Sequence, residues 1–189
     1  MPESGFPADI NPPFAVKIVS RDILHKSDAG GVRLGLLTTD AAKNAAHDLA
    51  AIIRVRFPKA RIRGFAVESM ITVEHGHELI VGLKRDAAFG TILAVGAGGK
   101  AVEVLDDKAV ELAPVDAALA TAMIGRTRIS RLLAGYRDEP AADLEAIAAA
   151  LTGVSDLAAD LPQIVELDIN PLLATPGGVW VVGARVRVG

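Results

Sequence analysis

Between residues 14 and 188 the hydrophobic positions change period several times, and each change marks an element. FAVKIV at 14–19 is an apolar run with a lysine in its middle. VRLGLL at 32–37 is a second short run, and both predict strands joined by a polar, glycine-containing loop. Over residues 40–56, Ala42, Ala45, Ala46, Leu49, Ile52 and Ile53 recur at steps of three and four until Pro58, which predicts an amphipathic helix. Strands are expected at 62–70, 78–84 and 91–95, the second alternating Leu79, Val81 and Leu83 against Glu78, Gly82 and Lys84. Helical spacing returns at 116–124, 129–134 and 141–159, where Leu144, Ile147, Leu151, Val154 and Leu157 share one face. A last pair of strands, near 164–169 and 179–188, is divided by a Pro-Gly-Gly turn at 176–178. This order of strands, helices and strands predicts an α+β fold with mostly antiparallel sheets and packed helices, not a doubly wound parallel sheet.

Composition narrows the function classes. A 189-residue chain that is 51% hydrophobic can bury a sizeable core, and only 4% aromatic content leaves that core to Val, Leu, Ile and Ala. Twenty Lys and Arg against 23 Asp and Glu give a net charge of −3 without a basic stripe, so nucleic acid is not an expected partner. The absence of cysteine excludes disulfides, thiolate nucleophiles and cysteine-ligated zinc. No basic leader and no apolar run long enough for a bilayer is visible, so no membrane partner and a cytoplasmic location are expected.

Three constellations carry candidate chemistry. Lys17, inside an apolar strand, needs either a partner or a wet cleft, and a phosphate would serve; the alternative is the solvent face of an edge strand, where lysine is common. Downstream, His25, Lys26, Ser27 and Asp28 precede Gly30 and Gly31, a pair whose backbone freedom can aim successive amides at an anion or simply make a turn. Gly96, Gly98 and Gly99 follow another apolar strand, with Glu103, Asp106 and Asp107 beyond them. That spacing is neither a Walker loop nor a dinucleotide fingerprint. Finally, a period-two reading of IVELDINP puts Glu166, Asp168 and Asn170 on one face and Val165, Leu167 and Ile169 on the other, with Pro171 ending the pairing. Hard oxygen donors of this kind suit Mg²⁺ bridged to a substrate phosphate, unless they are simply the polar face of an exposed strand. His47, His75 and His77 have no metal-ligand spacing, and no G-x-S-x-G nucleophile motif is present.

Taken together, AVKIVSRDILHKSDAGGVRLGL, ELIVGLKRDAAFGTILAVGAGGKAVEVLDD, LAPVD, LLAGYR and ELDINPLL resemble, in order, the ATP-grasp domain of ADP-forming acetyl-CoA synthetases and the beta subunit of succinyl-CoA synthetase. The resemblance implies two α+β lobes gripping ATP or ADP. A Pro-rich lead at 1–13 would precede a partial first lobe at 14–70, lacking its amino-terminal part, and a second lobe at 71–189. It also implies ligase chemistry that exchanges acid, CoA and ATP for acyl-CoA, ADP and phosphate, with phosphate carried on histidine and a separate CoA-binding companion subunit. Implied roles are Lys17, Gly30, Gly31, Glu68, Glu78, Gly98 and Gly99 at the nucleotide, Asp168 and Asn170 at Mg²⁺, and His25 with Lys26 in phosphoryl transfer. The sequence departs from the pattern in its short amino end, in Gly183 where an aspartate usually completes the metal site, and in Glu111 where an arginine usually precedes LAP. These departures define an alternative: a non-catalytic ATP-grasp module serving binding, regulation or oligomerisation, with homo-oligomers possible in either case.

Overall fold

The structure is a computed structural model that describes residues 9–23, 26–99 and 106–189. The chain folds as two compact units, Met1–Thr72 and Val73–Gly189. The first is a three-stranded antiparallel sheet in which β1 (Phe14–Val19) lies between β2 (Val32–Leu36) and β3 (Gly64–Ser69). Helix α1 (Thr39–Arg56) covers one face. The hydroxyl of Thr38 accepts from the Ala41 amide at its start, Asp40 lies in the first turn, and Arg54 and Arg56 lie in the last, each favourable to the helix dipole. Its buried stripe, including Ala42, Ala46, Leu49 and Ile53, packs on Phe14, Val16 and Ile18 of β1. Chain direction changes after Phe57, whose amide donates to the Ile53 carbonyl just before Pro58.

The second unit is built on β4 (His77–Asp86), β5 (Gly90–Ala97), β6 (Lys108–Leu112), β7 (Ile164–Thr175), β8 (Gly178–Val181) and β9 (Ala184–Val188). The order is β6-β5-β4-β7-β8, with β9 also along β7, and every pairing is antiparallel. Helices α2 (Ala117–Arg126), α3 (Ser130–Leu133) and α4 (Leu144–Asp160) connect β6 to β7. Leu79, Val81, Leu83, Leu93 and Val95 bury themselves with Met123, Ile147 and Leu151 in one core, whereas the alternate residues Ile80, Gly82 and Lys84 belong to the opposite, open face. Asp116 and Asp143 cap α2 and α4 by accepting from the Leu119 and Ala146 amides. Arg85 ties α4 to the sheet, bonding the carbonyls of Ala158 and Ile164. Among the described residues no helix is long and apolar enough to cross a membrane.

Three strand expectations need correction. β6 was not foreseen, because the alternating KAVEL segment carries only one buried side chain, Ala109. The expected single strand at 179–188 is two strands, broken at Val182 and Gly183. β7 does not stop at Pro171 either; it pairs with β9 before that point and with β8 after it. The proline is tolerated because the ladder shifts there. Leu79 faces Leu172 while Val81 faces Ile169, so Asn170 and Pro171 together oppose Ile80 in a β-bulge. A second irregularity, between Ile164 and Glu166, leaves Ile164 in the core beside Leu167 and Ile169 while Val165 is half-buried.

Candidate functional site

In the first unit Lys17 stands on the central strand, which corrects the edge-strand alternative. Its Nζ lies 2.7 Å from Glu68 Oε2 on β3, a diagonal pair in the register Ala15 to Glu68 and Lys17 to Ala66. The two residues expected at the nucleotide therefore meet each other. The downstream loop is pinned from several sides: the Gly30 amide donates to the Ser27 carbonyl, the Gly31 amide to Lys26 and the Ile18 amide to Gly31. Both glycine amides are thus committed within the chain, as in the turn alternative. What demands glycine here is space and dihedral angle. Gly30 has φ +75°, and a Cβ on Gly31 would lie 2.6 Å from Ile18 Cδ1. Arg56 holds the turn from outside by donating to the Ala29 carbonyl at 2.9 Å. Lys26 is half-buried at the loop's start. His25 lies outside the described residues.

In the second unit the expected Glu78, Gly98 and Gly99 also come together. The Gly98 amide donates to the Glu78 carbonyl at 2.6 Å, a Cβ on Gly98 would sit 2.8 Å from the Glu78 carbonyl carbon, and one on Gly99 would approach Glu78 Oε2 at 3.0 Å. Glu103 is outside the described residues. Asp107 is structural: its two carboxylate oxygens accept from the Arg128 and Ile129 amides at 2.6 and 2.8 Å, fixing the turn between α2 and α3. Asp106 bonds Lys108 at 2.7 Å, which holds its carboxyl below the usual range. Glu111 is paired with Arg126 at 2.9 Å, and that hydrogen bond lowers its pKa. Its cross-strand neighbour is the core residue Leu93, so Glu111 points to the helix side. The negative charge of Glu111 therefore lies off the open face and is neutralised by Arg126. His75 bonds Glu139 at 2.7 Å, a link that no sequence spacing indicates.

The open face of the larger sheet holds the most distinctive arrangement. Asp168 sits opposite Gly82 on β4 and Arg185 on β9; one position along, Glu166 sits opposite Lys84 and Arg187. A cleft of about 280 Å³ opens here, lined by Gly82, Lys84, Ala94, Glu166, Asp168 and Arg185 among others. A smaller one of about 160 Å³ continues over Gly82 and Ala94 toward Asp106, Asp107 and Lys108. Small residues make the floor: a Cβ at Gly82 would meet nothing within 4 Å. Asn170, exposed at the bulge, donates its amide to the Gly183 carbonyl at 2.8 Å, and a Cβ on Gly183 would lie 2.5 Å from the Asn170 carbonyl oxygen. Sequence reasoning missed Lys84, Arg185 and Arg187. The alternation RVR in the last strand signalled two cations on one face, but only the pairing of β9 with β7 puts them beside Glu166 and Asp168.

Comparison with known proteins agrees with this architecture. The chain is 42% identical over 177 residues to acetate–CoA ligase [ADP-forming] I of Archaeoglobus fulgidus, covering 94% of this chain but 25% of that protein. It is 37% identical over 181 residues to the beta subunit of acetate–CoA ligase [ADP-forming] I of Pyrococcus furiosus, covering 96% of this chain and 77% of the subunit. It therefore spans about a quarter of the first relative and about three quarters of the second. Among solved structures, the dinucleotide-forming acetyl-coenzyme A synthetase 1 of Ca. Korarchaeum cryptofilum, in complex with coenzyme A, Ca-AMPCP and HgCl+, superposes with a TM-score of 0.90 at 35% identity over 95% of this chain and 78% of that one. Residues 6–188 match the ATP-grasp domain, and with antiparallel sheets and packed helices of that fold, this chain belongs to the ATP-grasp domain family.

Proposed function

We propose that this chain is the nucleotide-binding part of an acyl-CoA synthetase that forms a nucleoside diphosphate. It binds ATP or ADP with Mg²⁺ and works with a CoA-binding companion polypeptide. The observation that carries this reading is the cleft on the open sheet face, where two carboxylates, two cations and a floor of Gly82 and Ala94 converge. Likeness to a ligase beta subunit, and to a synthetase whose structure holds coenzyme A and a nucleotide analogue, supports the same conclusion.

Each residue then has a task. Lys17 leaves Glu68 to meet the nucleotide phosphates, Glu68 serves the adenine side, and Glu78 with Gly98 and Gly99 borders the nucleotide. The Gly30–Gly31 turn lies over the phosphates. Asp168 and Asn170 offer hard oxygens. They would hold Mg²⁺, a cation that takes oxygen ligands. Such an ion would offset charge on the phosphates. His25 would accept a phosphoryl group from the companion polypeptide and pass it to ADP, with the Lys26 ammonium offsetting the charge.

The test is calorimetric titration with ADP and Mg²⁺. Micromolar, Mg²⁺-dependent binding that Lys17→Ala abolishes supports the proposal; no binding at millimolar nucleotide sinks it. One observation favours the second reading, a non-catalytic ATP-grasp module. At Gly183 the backbone of Asn170 leaves no space for the side chain of a further ligand. A chain that binds ADP but supports no acyl-CoA formation with any companion, and no phosphate on His25, would establish that reading.

A further inference from the structure

We propose that Arg185 is a phosphate-binding residue of this cleft, with Lys84 across from it and Glu166 as the counter-ion that keeps it in place. This rests on the nucleotide reading above. Along β7, Lys84, Arg185 and Arg187 flank the two carboxylates Glu166 and Asp168, and how the pairs are made decides which cation a ligand can reach. Arg187 Nε donates to Glu166 Oε2 at 3.0 Å, a true hydrogen bond. Arg185 Nη2 stands 3.8 Å from Glu166 Oε1, too far to be one. Among the described residues Arg185 donates no hydrogen bond and Lys84 forms no ion pair. Arg185 and Lys84 line the cleft, while Arg187 does not.

A guanidinium has five donors in a planar fork that matches two oxygens of a phosphate. With Lys84 on the far side of Glu166 and Asp168 directly across the strand, the cleft suits an oxyanion of high charge whose remaining oxygens face a metal-binding carboxylate. A half-exposed arginine on a strand is also an ordinary solubilising residue. Arg187 supplies the internal control: it occupies the same strand and face, carries the same charge, lies outside the cleft and already donates to Glu166.

The experiment compares the wild-type chain with R185Q, R185K and R187Q in titrations with ADP and excess Mg²⁺ at several salt concentrations. Thermal unfolding verifies that each variant is folded. R185Q is expected to raise Kd roughly tenfold or more, the loss of a charge-assisted hydrogen bond, and to flatten the salt dependence. R185K should recover part of the affinity, and R187Q should stay within about twofold. Equal binding by R185Q and wild type overturns the inference, as does an equal loss in R187Q, which would reduce the effect to general surface charge. If the wild-type chain binds no ADP, the nucleotide reading has failed separately, and inorganic pyrophosphate becomes the probe. Pyrophosphate binding that is lost in R185Q keeps the anion site, and no binding overturns both.

Discussion

In the three-stranded sheet of the first unit, the one lysine within the central strand is met by a carboxylate from the next strand at 2.7 Å. In the six-stranded sheet of the second, three cations flank two carboxylates along β7, and one arginine stays beyond hydrogen-bond reach of its nearest partner. Both units bury one apolar face under helices, so burial does not separate them. Register does. In the first sheet the offset of β1 against β3 brings Lys17 and Glu68 onto one diagonal, whereas in the second two arginines two residues apart share a single glutamate. A sheet face in which every charge has a partner offers a ligand only by exchange; a face with an arginine beyond hydrogen-bond reach of its partner offers charge directly.

The comparison breaks most severely at the cores. Leu151→Ala in the second unit and Leu49→Ala in the first each remove a fully buried side chain, and each is expected to cost about 2–5 kcal/mol in denaturant unfolding. If the units unfold independently, each variant shifts one transition and leaves the other in place; a shift of both would join them into one cooperative unit.

Glycine packing is next. Gly183→Ala presses a methyl against a backbone oxygen and Gly31→Ala against the movable Ile18 side chain, so about 1–3 kcal/mol is expected for each, more at 183. The reverse order in thermal melts would mean that the bulge at Asn170 yields more easily than the loop.

Replacing Asp107 by alanine deletes both acceptors at the α2–α3 turn and should cost about 1–2 kcal/mol, measured by chemical denaturation. No change would show that water satisfies those amides equally well. For the paired lysine, Glu68→Gln should alter stability by less than about 1 kcal/mol, as exposed ion pairs do. If Glu68 serves the adenine side, ADP affinity should nevertheless fall; a rise would instead show that Glu68 only competes with phosphate for Lys17.

The smallest effect concerns pH. The Arg126 hydrogen bond lowers the Glu111 carboxyl below its ordinary value of 4.5, so the folded state holds that proton less tightly than the unfolded one. Its contribution is full above the ordinary value and disappears as pH falls through the lowered one. Wild type and Glu111→Gln should therefore differ in melting temperature at neutral pH and converge in acid. A constant difference would remove the ion pair as its cause.

Period and punctuation in the sequence made most elements legible. The stripe ending at Pro58 located α1, and the alternation of Leu79, Val81 and Leu83 located β4 and its buried face. Glu68 and Lys17, or Glu78 and the Gly98–Gly99 turn, were legible as residues but not as neighbours, since strand partners 51 positions apart leave no local trace. Pro171 misled for a physical reason: proline normally ends pairing, but a bulge supplies the extra residue that lets the ladder continue.

What the sequence determined by itself was the alternation that sorts each strand into two faces, the capping residues that start the helices, and the motif order that marks an ATP-grasp domain. Those depend on residues within a few positions of one another, where steric and hydrogen-bonding preferences act directly. Tertiary structure alone decided which charges were neutralised. Glu111 turned toward Arg126 and away from the cleft, Asp107 became a turn clamp, and Arg185 came to stand beside Asp168 with Glu166 already bonded to Arg187. Coulomb attraction and hydrogen bonding act over a few ångströms of space, and that distance is set by strand register and not by sequence separation.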